Sequence, residues 1–224
     1  MKKISRLFVL SLILTTGYFA GQAYQKFIHE KEILKQMVQR LTADSRIAEV
    51  LVTEIRYDEH LDKVFTTIKF LEYGAQGQSL PPRYFTFSGN IIQFQSLIVR
   101  FDDVLIKAAD PFKGKSAYLF WKVFMLDGAN SQEYELTRVK EIPEGYKISA
   151  ESNPFEQQLW EKFWDYALNS PWAEKRGIKS AQIEAPGTKF VPGVLYSLKI
   201  EHDGGIRIDT QELPSILRGE KIPQ

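Results

Sequence analysis

The chain has 224 residues, of which 29 are basic and 28 are acidic, and it contains no cysteine. The near balance of charge excludes a global basic footprint for nucleic acid, so no nucleic-acid partner is expected. The lack of cysteine excludes disulfides, thiolate metal sites and thiol catalysis. With 44% apolar residues, a chain of this length can bury a core of its own, and no cofactor is expected.

The N-terminus has the outline of an export signal. Three basic residues within the first six positions precede a run from Leu7 to Gln25 that carries no charge. Such a run can span a bilayer as a helix, and it is also typical of a cleavable signal peptide. Residues 1–25 are therefore predicted to be a signal anchor, or a signal peptide cut near Ala23. The first alternative predicts a single-pass protein of a bacterial inner membrane with an extracytoplasmic C-terminal domain, and the second predicts a secreted chain.

Two glycines within the apolar run are candidate helix-packing residues. Gly17 and Gly21 lie four residues apart, a spacing that lets two membrane helices approach closely. A simpler interpretation is that glycine is common in membrane helices and that Gly21 belongs to the cleavage site.

Residues 26–43 are predicted to form an amphipathic neck helix. Phe27, Leu34 and Leu41 recur every seven residues, and charged residues line the other faces. The repeat covers fewer than three heptads. A homodimer through the neck and a helix that packs back on its own domain are therefore both open alternatives.

Residues 44–212 are predicted to form a strand-rich domain of the mostly-β or α+β class, followed by a tail over residues 213–224. Two turns, Gly89-Asn90 and Asp203-Gly204-Gly205, have the composition that closes antiparallel hairpins. We expect a hairpin-rich antiparallel sandwich or open barrel. The predicted strands are Glu49–Tyr57, Lys63–Tyr73, Tyr84–Ser88, Ile91–Phe101, Ser116–Leu126, Val194–His202 and Ile206–Asp209. Alternation over the first of these predicts that Leu51, Thr53, Ile55 and Tyr57 share one face. The apolar run Ser116–Leu126 is predicted to be buried on both faces.

A helical insert is predicted over residues 153–177. Asn153 can cap the helix, Pro154 suits its first position, and Glu156 can reach back to the cap from the third. The helix should run to about Leu168, with a second short helix ending near Gly177.

The tryptophans of this insert have two interpretations. Trp160 and Trp164 recur on one face of the predicted helix, and Trp172 follows it. The simpler interpretation is a bulky face packed on the sheet. The alternative is a platform on which a glycan, a peptidoglycan fragment or a peptide stacks, which makes these three residues candidate ligand-binding residues.

Four possible hard metal ligands occur within five positions of one predicted hairpin loop. They are Asp58, Glu59, His60 and Asp62. Carboxylate and imidazole groups can hold a divalent cation, so a metal site is one hypothesis. The alternative is an ordinary hairpin loop that is polar because it faces water.

Catalytic motifs are weak in this sequence. Asp102 and Asp103 form a carboxylate pair, but adjacent residues of a strand point to opposite faces, so one of them at most could act in a cleft. No G-x-S-x-G motif is present. Enzymatic activity is therefore uncertain. The sequence predicts a membrane-anchored extracytoplasmic domain that binds or scaffolds an unknown protein partner, with a glycan-binding module or a hydrolase using Asp102 or Asp103 as alternatives.

Overall fold

The computed structural model describes residues 2–41, 46–74, 77–101, 116–127, 130–148, 153–168, 178–200 and 205–214. Within these ranges the side chains of residues 2–13, 34, 37, 38, 41, 46, 99–101, 130, 162, 166, 167 and 178–184 lie outside the described part. The helices are α1 (Lys2–Leu41), α2 (Pro154–Leu168) and a short 3-10 helix, Glu144–Tyr146. The strands are β1 (Arg46–Asp58), β2 (Lys63–Glu72), β3 (Arg83–Phe87), β4 (Ile91–Phe101), β5 (Ser116–Asp127), β6 (Asn130–Glu135), β7 (Ile178–Glu184), β8 (Gly187–Lys189), β9 (Val194–Ile200) and β10 (Ile206–Glu212).

The strands form two antiparallel sheets. Sheet 1 has the order β10-β9-β1-β2-β3, and sheet 2 has the order β6-β5-β4-β7, with β8 also paired to β4. Each of these pairings is antiparallel. The prediction of a mostly-β, hairpin-rich antiparallel domain is therefore confirmed.

One hydrophobic core takes buried side chains from both sheets. The ring of Phe70 in β2 stacks on that of Phe94 in β4 with 5.7 Å between centroids. The same ring meets Phe120 of β5 edge-on, also at 5.7 Å. These contacts follow from period-2 alternation, which turns every second residue of each strand towards the other sheet.

A second core lies between sheet 2 and α2. The sheet contributes Leu97, Ala117 and Leu119, and the apolar face of α2 covers them. Residues 117–120 of β5 are therefore buried on both faces, as predicted, whereas beyond Trp121 only Val123 and Met125 are buried and Leu126 is exposed. The helix ends at Leu168, as expected, and the predicted second helix from Ser170 to Gly177 lies outside the described residues.

Helix α1 joins the predicted anchor and the predicted neck in one unbroken helix of 40 residues. Its C-terminal part packs on the domain: Ile33 is 5% exposed, and Arg40 donates a hydrogen bond to the carbonyl of Tyr146 at 3.1 Å. In the part of the chain that the structure describes, no helix combines the length and the apolar character needed to cross a membrane.

Three strands were not predicted. These are β6, β7 and β8, which carry few large apolar residues; the sequence of β6, for example, is NSQEYE. Strand β6 lies at an edge of sheet 2, and β7 and β8 lie on the other side of β4. A strand with one paired neighbour and one solvated side needs little apolar surface, so its sequence resembles that of a loop.

Candidate functional site

The hairpin of β1 and β2 extends beyond the rest of sheet 1. Strand β9 pairs with β1 as far as Leu51, and β3 pairs with β2 as far as Thr66. Residues 53–65 therefore form a two-stranded extension to which no third described strand is paired. We call residues 53–65 the ribbon.

A β-bulge at Thr53 decides which side chains share a face of the ribbon. The register shifts between Val52 and Glu54, so that Ile55 lies opposite Thr66 and Tyr57 lies opposite Val64. Paired residues project from the same face, and Thr66 is buried on the core side. Ile55 and Tyr57 therefore continue the core side of sheet 1.

The expected alternation over Glu49–Tyr57 had placed Leu51, Thr53, Ile55 and Tyr57 on one face, and this prediction was wrong. The bulge adds one residue and moves the later side chains to the other face.

The apolar side chains of the ribbon are exposed because the ribbon projects past the core. Exposed fractions are 44% for Ile55, 55% for Tyr57, 59% for Leu61 and 41% for Val64. Single exposed apolar residues are ordinary, but four on one short element are typical of an interaction surface. Tyrosine is also among the residues that contribute most to protein interfaces.

Hydrogen bonds fix the tip of the ribbon. The Oδ1 atom of Asp58 accepts hydrogen bonds from the backbone N–H groups of His60 at 3.1 Å and Leu61 at 3.2 Å. The hydroxyl of Tyr57 donates to the carboxylate of Asp62, and this hydrogen bond raises the pKa of the Tyr57 hydroxyl. The backbone of Asp62 has a φ of 51°, which aspartate tolerates better than most residues.

An ion pair fixes the ribbon to sheet 2 close to its tip, because Lys63 lies opposite Asp58 beside the turn. Lys63 Nζ lies 2.6 Å from Asp127 Oδ2, and the hydroxyl of Ser88 donates to the same oxygen at 3.1 Å. The hydrogen bonds from Lys63 and Ser88 hold the pKa of Asp127 below its usual range. The ribbon is thereby tied to the ends of β3 and β5.

The four predicted metal ligands of this loop do not converge on one site. Asp58 and Asp62 accept hydrogen bonds within the loop, while Glu59 and His60 are exposed. Among the described residues, no group of three or more histidine or acidic residues is placed to hold a metal ion. The structure therefore supports the alternative of a polar hairpin loop.

The tryptophan platform requires a correction. Trp160 is 0% exposed and Trp164 is 1% exposed, so neither ring offers a face to a ligand. Trp160 packs against Phe163 with 4.8 Å between centroids, and the indole N–H of Trp164 donates to the carbonyl of Glu141 at 2.7 Å. Both rings belong to the second core. Trp172 lies outside the described residues, as do Asp102 and Asp103 of the hydrolase hypothesis.

The candidate helix-packing glycines lie on the exposed part of α1. A Cβ atom added at Gly17 or at Gly21 would meet nothing within 4 Å. No described atom of the same chain therefore occupies the space beside the helix at these two positions.

The contact between α1 and α2 belongs to the alternative in which the neck helix packs back on its own domain, although the residues that make it were not predicted. Asn153 Oδ1 accepts the N–H of Phe155 at 2.9 Å, which confirms the cap, and its Nδ2 lies 3.2 Å from His29 Nε2 of α1. Glu156 does not reach back to the cap as expected. Its carboxylate accepts the N–H of Ile148 at 3.1 Å. Burial raises the pKa of Glu156, although the nearby charge of Arg40 acts in the opposite direction.

No protein-family model, curated protein or solved structure matches this chain. Of the features described above, the ribbon combines exposed apolar side chains with a fixed backbone. These are the properties of a protein-recognition element.

Proposed function

We propose that this chain is a membrane-anchored extracytoplasmic domain that binds a partner protein through the ribbon. The observation that carries the proposal is the exposure of Ile55, Tyr57 and Val64 on one side of a projecting hairpin. Hydrogen bonds hold this hairpin in place before any partner binds, so association costs less ordering of the backbone.

The charges of the ribbon indicate the chemistry of its partner. Three carboxylates, those of Asp58, Glu59 and Asp62, lie at the tip. The guanidinium of Arg56 pairs with Asp58 at 3.3 Å and the ammonium of Lys63 pairs with Asp127, so Glu59 and Asp62 carry the remaining acidic charge of the tip. A complementary surface has an apolar pocket with a basic rim, because opposite charges across a rim favour the correct partner.

The anchor in this proposal is the uncharged run from Leu7 to Gln25 of α1. On the described part of this run, Leu14 is 66% exposed, Tyr18 is 63% exposed and Phe19 is 69% exposed. Lipid would cover this apolar surface. The side chains of residues 2–13 lie outside the described part. The proposed location is a bacterial inner membrane.

The proposed arrangement of the domain places the tip of the ribbon at a distance from α1. The two sheets, which share one core, are proposed to form a sandwich rather than an open barrel. Strand β1 has 13 residues and spans about 40 Å at 3.3 Å per residue. The tip of the ribbon is therefore far from the point at which the chain leaves α1.

The proposal is tested by photo-crosslinking in cells that naturally produce the protein. A photoreactive amino acid replaces Val64 in the ribbon or, as a control, the exposed residue Thr210 of β10. We expect one discrete protein adduct from position 64 that is absent from position 210. Adding Ile55→Ser should abolish this adduct with little change in the melting temperature, because Ile55 is exposed and its side chain takes no part in the hydrogen bonds that fix the tip. The same adducts from both positions, or an adduct that survives Ile55→Ser, would contradict binding through the ribbon.

A further inference from the structure

We infer that two copies of this chain associate through α1 as a parallel, two-stranded coiled coil. The inference is independent of the ribbon. It takes from the proposed function only that both copies enter the same membrane in the same direction.

The inference begins from the spacing of residues along α1. Because α1 is unbroken, a heptad repeat extends through both the apolar run and the neck, from position 13 to position 41, which lie 28 residues apart. This is four heptads, which is the length typical of a coiled coil. The d positions hold Ile13, Ala20, Phe27, Leu34 and Leu41, and the a positions hold Gly17, Tyr24, Lys31 and Val38.

The heptad positions lie on the side of α1 that faces away from its own domain. His29, Ile33 and Arg40 make the contacts with the domain. At 100° per residue, the a and d positions are centred about 160° from these three residues. Tyr24 and Phe27, which occupy heptad positions, are 66% and 61% exposed. Packing on the domain therefore leaves these two heptad positions uncovered.

The residue types favour two parallel helices. A β-branched residue at a, Val38, combined with leucine at d, as at Leu34 and Leu41, favours two strands. Lys31 is a polar residue at an a position, and such a residue fixes register and oligomeric state at some cost in stability. Gly17 leaves room for a second backbone.

The charges beside the heptad face are complementary between two copies. Glu30 occupies a g position and Lys35 the following e position. In a parallel pair, the g residue of one helix faces the e residue five positions later in the other, so Glu30 of each copy meets Lys35 of the second copy. Within one copy, Glu30 makes a long exposed ion pair with Lys26, with 3.8 Å between the charged atoms.

The first experiment uses disulfide formation in the full chain in lipid nanodiscs. The chain has no cysteine, so Leu34→Cys introduces a single thiol at a d position. Glu32→Cys is the matched control, because residue 32 is exposed and lies outside the heptad face. We expect mild oxidation to form a dimer at least about tenfold faster for Leu34→Cys than for Glu32→Cys, since association raises the local thiol concentration. No dimer from Leu34→Cys, or equal rates for both variants, would overturn the inference.

A charge exchange tests the geometry of the pair. We expect Lys35→Glu to raise the dissociation constant of the dimer about fivefold, because it places like charges opposite each other. The double variant Glu30→Lys/Lys35→Glu should restore association, and sedimentation in detergent measures both effects. A double variant as weak as the single one would overturn the pairing. A monomer that stays in the membrane fraction and forms the adduct from position 64 would overturn the dimer and leave the proposed function standing.

Discussion

At the scale of single residues, the ion pair between Lys63 and Asp127 holds the ribbon against sheet 2 close to its tip. Its hydrogen bond lowers the pKa of Asp127. A carboxyl group with a lowered pKa in the folded state stabilises that state above its unfolded pKa, and this contribution is lost as the pH falls through the folded pKa. The contact is therefore complete at neutral pH and is lost in acid.

We predict that Asp127→Asn changes the environment of the ribbon at neutral pH and has little effect in acid. The methyl resonances of Leu61 and Val64 report the position of the ribbon in an NMR titration. In the parent chain they should shift as the pH falls below about 4, towards the values of the variant. Equal methyl shifts for both proteins at neutral pH would show that the ribbon does not depend on this ion pair.

At the scale of elements, α2 is a core helix rather than a binding platform. Its capping signal and its apolar period were read correctly from the sequence, because a cap depends on residues only two or three positions apart. The hydrogen bond predicted for Glu156 was wrong. Its carboxylate accepts a hydrogen bond from the N–H of Ile148, which the tertiary fold brings close, and not from the backbone N–H of Asn153 at the cap.

We predict that Trp160→Ala lowers the free energy of unfolding by about 3–5 kcal/mol, because it leaves a cavity in a fully buried site. Urea denaturation followed by circular dichroism measures the change. The neighbouring exposed residue provides the control, and Glu161→Ala should stay within about 0.5 kcal/mol of the parent. A loss below about 1 kcal/mol for Trp160→Ala would argue against a core role for this side chain.

The strands differ in how well their sequences predicted them. Strand β5 was predicted, but its burial on both faces holds only for residues 117–120, because the second core covers its other face only there. Strands β6, β7 and β8 were missed, since pairing with a neighbour stabilises them more than their own composition does. The bulge at Thr53 was missed as well, because register is set jointly by both strands of a pair.

At the scale of the whole molecule, cleavage or retention of residues 1–25 decides whether the chain stays attached to a membrane. We predict that expressing cells contain the uncut chain in their membrane fraction, because the uncharged run continues without a break into a helix docked on the domain. Intact-mass measurement of fractionated cells tests this prediction. A chain lacking residues 1–23 in the soluble fraction would remove the anchor and the membrane part of the coiled coil.

The sequence by itself determined the features that depend on near neighbours along the chain. These are the cap at Asn153, the β1–β2 hairpin, the apolar period of α2 and seven of the ten described strands. The tertiary structure alone decided which aromatic residues are buried and which are exposed. Trp160 and Tyr57 both share a predicted face with other apolar residues, yet one is 0% and the other 55% exposed. The reason is that local hydrogen bonds form between residues a few positions apart, whereas burial depends on which distant surfaces meet.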